Sequence, residues 1–170
     1  MKNVIICSII ILLVFFSTGN TNAYSIDQVS YSIRGDLDEL KFLDLRIGSR
    51  VDHINSTGIS IIHDGETFKL QGDWWIRFLQ RPEYSISLKF TLPMELDKFS
   101  LGRGIGFYGE VFTSNNLYWD INYYFDKDTW VYEGGFLYPM NSNTKLLLGI
   151  GNTYWSSDKA NLHFGFEMEI

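Results

Sequence analysis

The sequence predicts an all-β protein, an antiparallel up-and-down β-barrel of about eight to ten strands behind an N-terminal signal peptide. Three observations predict it. The chain opens on a short charged and apolar leader, the rest alternates polar and apolar residues with period two, and short turn signals interrupt that alternation.

The leader begins with Met1 and Lys2, is apolar from Val4 to Phe16 apart from Ser8, and closes on the small, polar run 17–23. Its apolar core falls short of the roughly 20 residues that a membrane-spanning helix needs. Residues 1–23 therefore read as a signal peptide cleaved after Ala23, with a retained N-terminal anchor as the competing reading. Cleavage leaves residues 24–170, one domain's worth of chain. The single cysteine, Cys7, lies in the leader, so the mature chain has no thiol for a disulfide or a metal. The chain carries 14 basic and 20 acidic residues; without Lys2 the balance is 13 against 20, a net charge of −7. That balance argues against nucleic acid as a partner.

Ten strands are expected, near 24–34, 39–51, 57–63, 66–80, 83–92, 99–113, 116–126, 129–139, 144–155 and 160–170. The first and third show the weakest alternation, which leaves eight as an alternative count. In the last strand Leu162, Phe164, Phe166, Met168 and Ile170 share one face, and Asn161, His163, Gly165, Glu167 and Glu169 the other. Leu117, Trp119, Ile121, Tyr123 and Phe125 alternate with Tyr118, Asp120, Asn122, Tyr124 and Asp126. Breaks such as Gly35-Asp36, Asp64-Gly65, Arg81-Pro82, Ser114-Asn115 and Lys127-Asp128 are short, which suits hairpins rather than Greek-key crossings.

Alternation alone does not say which face meets water. Several runs are longer than the five or six residues usual in soluble proteins, and reach the 9–11 or so of a tilted membrane strand. Trp74, Trp75, Tyr84, Tyr118, Trp119, Tyr138, Tyr154 and Trp155 sit at or near strand ends, where a membrane barrel carries aromatic girdles. The chain also stops at the end of a strand with apolar residues at Phe164, Phe166, Met168 and Ile170. This ending resembles the C-terminal strand of small bacterial outer-membrane β-barrel proteins, although that class usually ends in Phe or Trp. The resemblance implies a bacterial outer-membrane location, a lipid-facing outer wall and assembly by the barrel assembly machinery. On that reading Phe78, Ile86, Leu88, Trp119, Ile121, Phe136, Phe164 and Phe166 face lipid. The alternative is a periplasmic or secreted soluble barrel, lipocalin-like in architecture, with the apolar face inside around an apolar ligand.

With the apolar face outward, the polar face lines a lumen. Its N-terminal half supplies Asp44, Arg46, Arg50, Lys69, Asp73, Arg77 and Lys89; its C-terminal half supplies Glu110, Asp120, Glu133, Lys145, Glu167 and Glu169. The first set is mainly basic and the second mainly acidic. Buried charges must be paired, so Arg46, Arg50 and Arg77 are expected within reach of Glu110, Asp120, Glu133 or Glu167. Gly102, Gly104, Gly106, Gly135, Gly149 and Gly151 fall on the same face and leave room inside.

No motif assigns catalysis. His53 and His63 fall in turns, and His163 on the polar face, about 13 Å along the strand from Glu167. No G-x-S-x-G elbow and no histidine pair with metal-ligand spacing exists, so no cofactor, metal or catalytic residue is assigned. The expectation is a small outer-membrane barrel with a packed, charged lumen and a structural or interaction role; a lipid-modifying enzyme is a second alternative.

Overall fold

The computed structural model describes residues 26–35, 40–112 and 116–170. The proposed signal peptide, Cys7 and parts of the turns at Gly35-Asp36 and Ser114-Asn115 lie outside these residues. The strands are β1 (Ile26–Gly35), β2 (Leu40–Arg50), β3 (Asn55–His63), β4 (Phe68–Gln80), β5 (Tyr84–Glu95), β6 (Ser100–Leu101), β7 (Gly104–Val111), β8 (Asn116–Tyr124), β9 (Thr129–Pro139), β10 (Thr144–Thr153) and β11 (Ser156–Glu169).

Apart from the short β6, each strand pairs antiparallel with its chain neighbours, with β5 joined directly to β7, and β1 pairs with β11. The result is a closed up-and-down barrel of ten strands, with β6 a two-residue flap on the end of β5. Both strands with the weakest sequence signal, β1 and β3, are present, which decides against eight. The expected strand 99–113 is divided at Gly102-Arg103. There the Gly102 N–H donates to the Pro93 carbonyl at 2.8 Å, and a Cβ on Gly102 would lie 2.6 Å from the Tyr154 hydroxyl. Only glycine lets the chain pass that close.

Antiparallel topology gathers the connections at two ends. The terminal end holds the start of β1, the end of β11 and the turns at 51–54, 81–83 and 140–143. The far end holds 64–67, 96–99, 125–128 and the corner at Tyr154-Trp155. Local chemistry fixes the turns. At 51–54 the Asp52 carboxylate accepts the N–H groups of Ile54 and Asn55, each at 2.7 Å. At 64–67 Asp64 accepts from Thr67 N at 2.8 Å, and Gly65 adopts φ 91°.

The apolar face is outside. Phe78, Phe136, Phe164 and Ile121 are exposed, while Asp44, Asp73, Lys89, His163 and Glu167 are buried. This inverts a soluble protein and overturns the lipocalin-like alternative, whose apolar residues would fill the interior. A bulge at Phe78, between the pairs Arg77↔Ser87 and Leu79↔Ile86, shifts the register beyond Arg77, which lines the cavity, while Phe78 is exposed on the outer face.

Candidate functional site

The inner face encloses a cavity of about 470 Å³ whose lining runs from Asp27, Arg50 and Ile170 at the terminal end to Phe42, Ile62, Tyr124 and Tyr154 towards the far end. Of the charged residues assigned to the lumen from sequence, Asp44, Arg46, Arg50, Arg77, Lys89, Glu110, Asp120, Glu133, Lys145, Glu167 and Glu169 line it. Asp73 is buried behind it, and Lys69 lines a separate surface hollow at the far end, where it binds Asp64. Phe78, Ile86, Leu88, Trp119, Ile121, Phe136, Phe164 and Phe166 take the opposite face; Trp119 lies across Gly109, whose added Cβ would meet the indole at 2.3 Å.

Two chains of ion pairs stitch the inner wall together. In the first, Arg46 binds Asp73 at 2.9 Å, Lys89 reaches Asp73 at 3.6 Å, and Lys89 binds Asp120 at 2.5 Å. The Arg46 guanidinium also lies 4.2 Å from the centroid of the Trp75 ring. In the second, Glu133 accepts from Arg34, from the Tyr118 hydroxyl and from His163 Nδ1, each at 2.6 Å, while Arg34 reaches Asp44 at 3.5 Å. Asp120 and Glu133 face each other across β8 and β9. Two neighbouring carboxylates in a confined space repel unless neutralised, and here Lys89 takes one and Arg34 the other. Nearer the terminal end, Lys145 binds Glu167 at 3.3 Å and Glu169 at 2.9 Å, and Tyr108 donates to Glu110.

The pairing differs in detail from the sequence expectation. Arg46 binds Asp73 within the N-terminal half rather than an acid of the C-terminal half. Arg77 donates to Gln80 at 3.2 Å, and the Arg50 backbone N–H to Asp27 at 2.7 Å. The pairs that do cross between the halves use Lys89 and Arg34, and the sequence reading overlooked Arg34. Its signal was the polar series Ser30, Ser32, Arg34 alternating with Val29, Tyr31 and Ile33.

Four aromatics expected in the girdles are inside instead. Trp75, Tyr118, Tyr154 and Trp155 all line the cavity. A Cβ on Gly149 would lie 2.2 Å from the Tyr118 hydroxyl, so the inward glycines make room for tyrosine as much as for charge. Towards the far end Tyr124, Val131 and Tyr154 form a buried cluster packed against Trp155. The Tyr124 and Tyr154 rings are 4.7 Å apart, the Tyr154 hydroxyl donates to Asp126, and Lys127 sits 3.8 Å from the Tyr154 ring. Burial opposes ionisation of Asp126 in this turn, but the Tyr154 hydroxyl and the Arg103 N–H outweigh it and hold its carboxyl below the usual range.

The histidines form no catalytic constellation. His53 is exposed, His63 Nδ1 accepts the Gly65 N–H at 3.2 Å, and His163 is held deep in the lumen by Glu133. Among the described residues no group of three or more metal-ligating side chains is assembled.

No protein-family model matches the chain, and a search of the curated proteins finds no match. Among solved structures the barrel resembles a KdgM porin, with a TM-score of 0.60 at 11% identity over 84% of this chain and 99% of that one. The KdgM porin in complex with disordered oligogalacturonate gives 0.59 at 11% identity, with the same coverage. At this identity the likeness establishes the fold, an outer-membrane-type β-barrel.

Proposed function

We propose that this chain is a small barrel of the bacterial outer membrane whose lumen is packed with mutually paired charges, and that it serves as a structural or interaction protein rather than an open pore. The observation that carries this reading is the double chain of ion pairs, Arg46–Asp73–Lys89–Asp120 and Asp44–Arg34–Glu133–His163. A channel for charged solutes needs cations or anions free to exchange partners with the solute. Here the central cations are engaged by carboxylates of the wall itself, and a solute would have to break buried pairs to pass. The tyrosine cluster of Tyr124 and Tyr154 narrows the far end further. Surrounding lipid is the natural partner of the outer wall, and the barrel assembly machinery of the β11 strand, whose Phe164, Phe166 and Met168 are exposed, as is Ile170 just after it.

Passage of small polar solutes is the second reading. It is favoured by the fold shared with a porin and by the cavity of about 470 Å³. Reconstitution in planar lipid bilayers separates the two. The packed-lumen reading expects no steady ohmic conductance from the chain under conditions where the KdgM porin conducts. Sustained, voltage-independent steps of comparable size would favour the pore.

A further inference from the structure

At the far end two hairpins close in the same way. The loops at 96–99 and 125–128 each have four residues, between Glu95↔Ser100 and Tyr124↔Thr129 respectively. In each, the fourth residue takes the left-handed conformation: Asp128 has φ 47° and Phe99 has φ 50°. Aspartate tolerates that region because its short polar side chain bonds locally, and Asp128 accepts from the Tyr123 hydroxyl. Phenylalanine is a poor occupant, since its Cβ and ring are crowded there. Phe99 gains no protein packing in return, for it is 82% exposed. A strained backbone that holds a large apolar side chain in the open calls for an environment outside the chain.

The surroundings say which environment. Leu101, 55% exposed, pairs with Met94, which continues the outer row Tyr84, Ile86, Leu88, Phe90 and Leu92 of β5. The flap thus prolongs the apolar wall beyond the barrel's edge. The next hairpin carries Phe125, 60% exposed, packed edge-on to Tyr123, whose other neighbour is Trp130. The flap is held in place by the Gly102 N–H bond to Pro93 and by Phe125 N donating to the Arg103 carbonyl at 3.0 Å. Lys98, paired with Glu95 at 3.1 Å, sets a charge beside Phe99 at the level where an apolar ring and a polar headgroup meet.

We infer that the β5–β6 flap is a membrane anchor, and that Phe99 inserts into the bilayer interface beside the barrel at its far end. The inference rests on the membrane reading of the outer wall, and the test separates the two. In a Cys7→Ser chain, single cysteines are placed at Phe99 (Phe99→Cys), at Asp128 (Asp128→Cys) and on the wall at Phe136 (Phe136→Cys). Each is labelled with an environment-sensitive fluorophore and refolded into phosphatidylcholine–phosphatidylglycerol vesicles with and without spin-labelled lipid. The label at 136 should be blue-shifted and quenched by spin-labelled lipid, the label at 99 likewise, and the label at 128 should emit as in water and be quenched by iodide. A water-exposed label at 99 with 136 in lipid overturns the anchor alone, and a water-exposed label at 136 overturns the membrane reading itself. As an independent check, Phe99→Asn relieves the backbone strain. The anchor requires it to fold into vesicles at a lower yield than the parent; equal or higher yield removes the reason for a phenylalanine there.

Discussion

Replacing Glu133 with alanine is the most informative single perturbation of the lumen. Its carboxylate has a side-chain exposure of 12% and accepts from three groups, Arg34, His163 and Tyr118, each at 2.6 Å. Truncation leaves the Arg34 guanidinium, itself only 20% exposed, with Asp44 at 3.5 Å as its remaining carboxylate. Breaking a buried pair by removing one partner typically costs about 3–5 kcal/mol. Summing the three bonds at about 1.5–3 kcal/mol each would exceed that, but they share one acceptor and the remaining groups can rehydrate in the cavity, so about 3 kcal/mol is expected. The reference is Asp158→Ala, on an exposed site, for which a change within about 0.5 kcal/mol is expected. Urea-dependent folding into lipid vesicles, followed by tryptophan fluorescence, gives both values on one scale. The pair Arg34→Met with Glu133→Leu should recover only part of the loss, since it removes the stranded guanidinium but takes the Arg34 partner from buried Asp44. A Glu133→Ala chain as stable as Asp158→Ala would refute the reasoning, because it would mean that Glu133 is hydrated rather than paired.

Three further outcomes follow from the same geometry. Ile121→Arg, on the outer wall, should cost about 2–4 kcal/mol of folding free energy in bilayers, whereas Gln28→Arg, opposite Glu169 at the cavity mouth, should change it little, and folded yield on unboiled gels compares them. At 64–67, burial raises the Asp64 carboxyl but the Lys69 ammonium and the Thr67 and Glu66 N–H groups more than reverse this, so its folded value lies below the usual one. Stability from this turn is therefore complete above the unfolded carboxylate value of about 4 and is lost as pH falls towards the folded value, and Asp64→Asn should flatten that acid limb in a pH series of urea midpoints. Joint Tyr124→Ala and Tyr154→Ala substitution should open the far end and produce bilayer conductance that the parent lacks; unchanged silence would show that these rings are not what closes it.

The walls of the barrel were legible in the sequence, and its interior stitching was not. Period two placed Asp44, Lys89, Glu133 and Glu167 on one face and Ile121, Phe136 and Phe164 on the other, because a strand has only two faces to offer. The same rule puts Trp75 with Asp73 and Arg77 inside; expecting it in a girdle gave residue type precedence over parity. Which charges meet across the lumen depends on the stagger between strands, and a residue's own neighbours do not encode stagger. That is why Arg46 finds Asp73 rather than an acid of the C-terminal half, and why Arg34, at the end of a weakly patterned strand, went unassigned. The break at Gly102 reflects contacts with Pro93 and Tyr154, residues distant enough along the chain that no local pattern announces them.

Cysteine scanning along β8 tests the central arrangement most directly, with Cys7→Ser as background and one thiol at a time from Leu117 to Tyr124. Spin labels on folded chains in vesicles report collision with lipid-soluble oxygen and with a water-soluble nickel chelate. Labels at 117, 119, 121 and 123 should collide with oxygen, and labels at 118, 120, 122 and 124 should be shielded from it, an alternation of period two across the whole strand. The opposite phase, with the even positions in lipid or water and the odd ones shielded together in a core, would contradict the account.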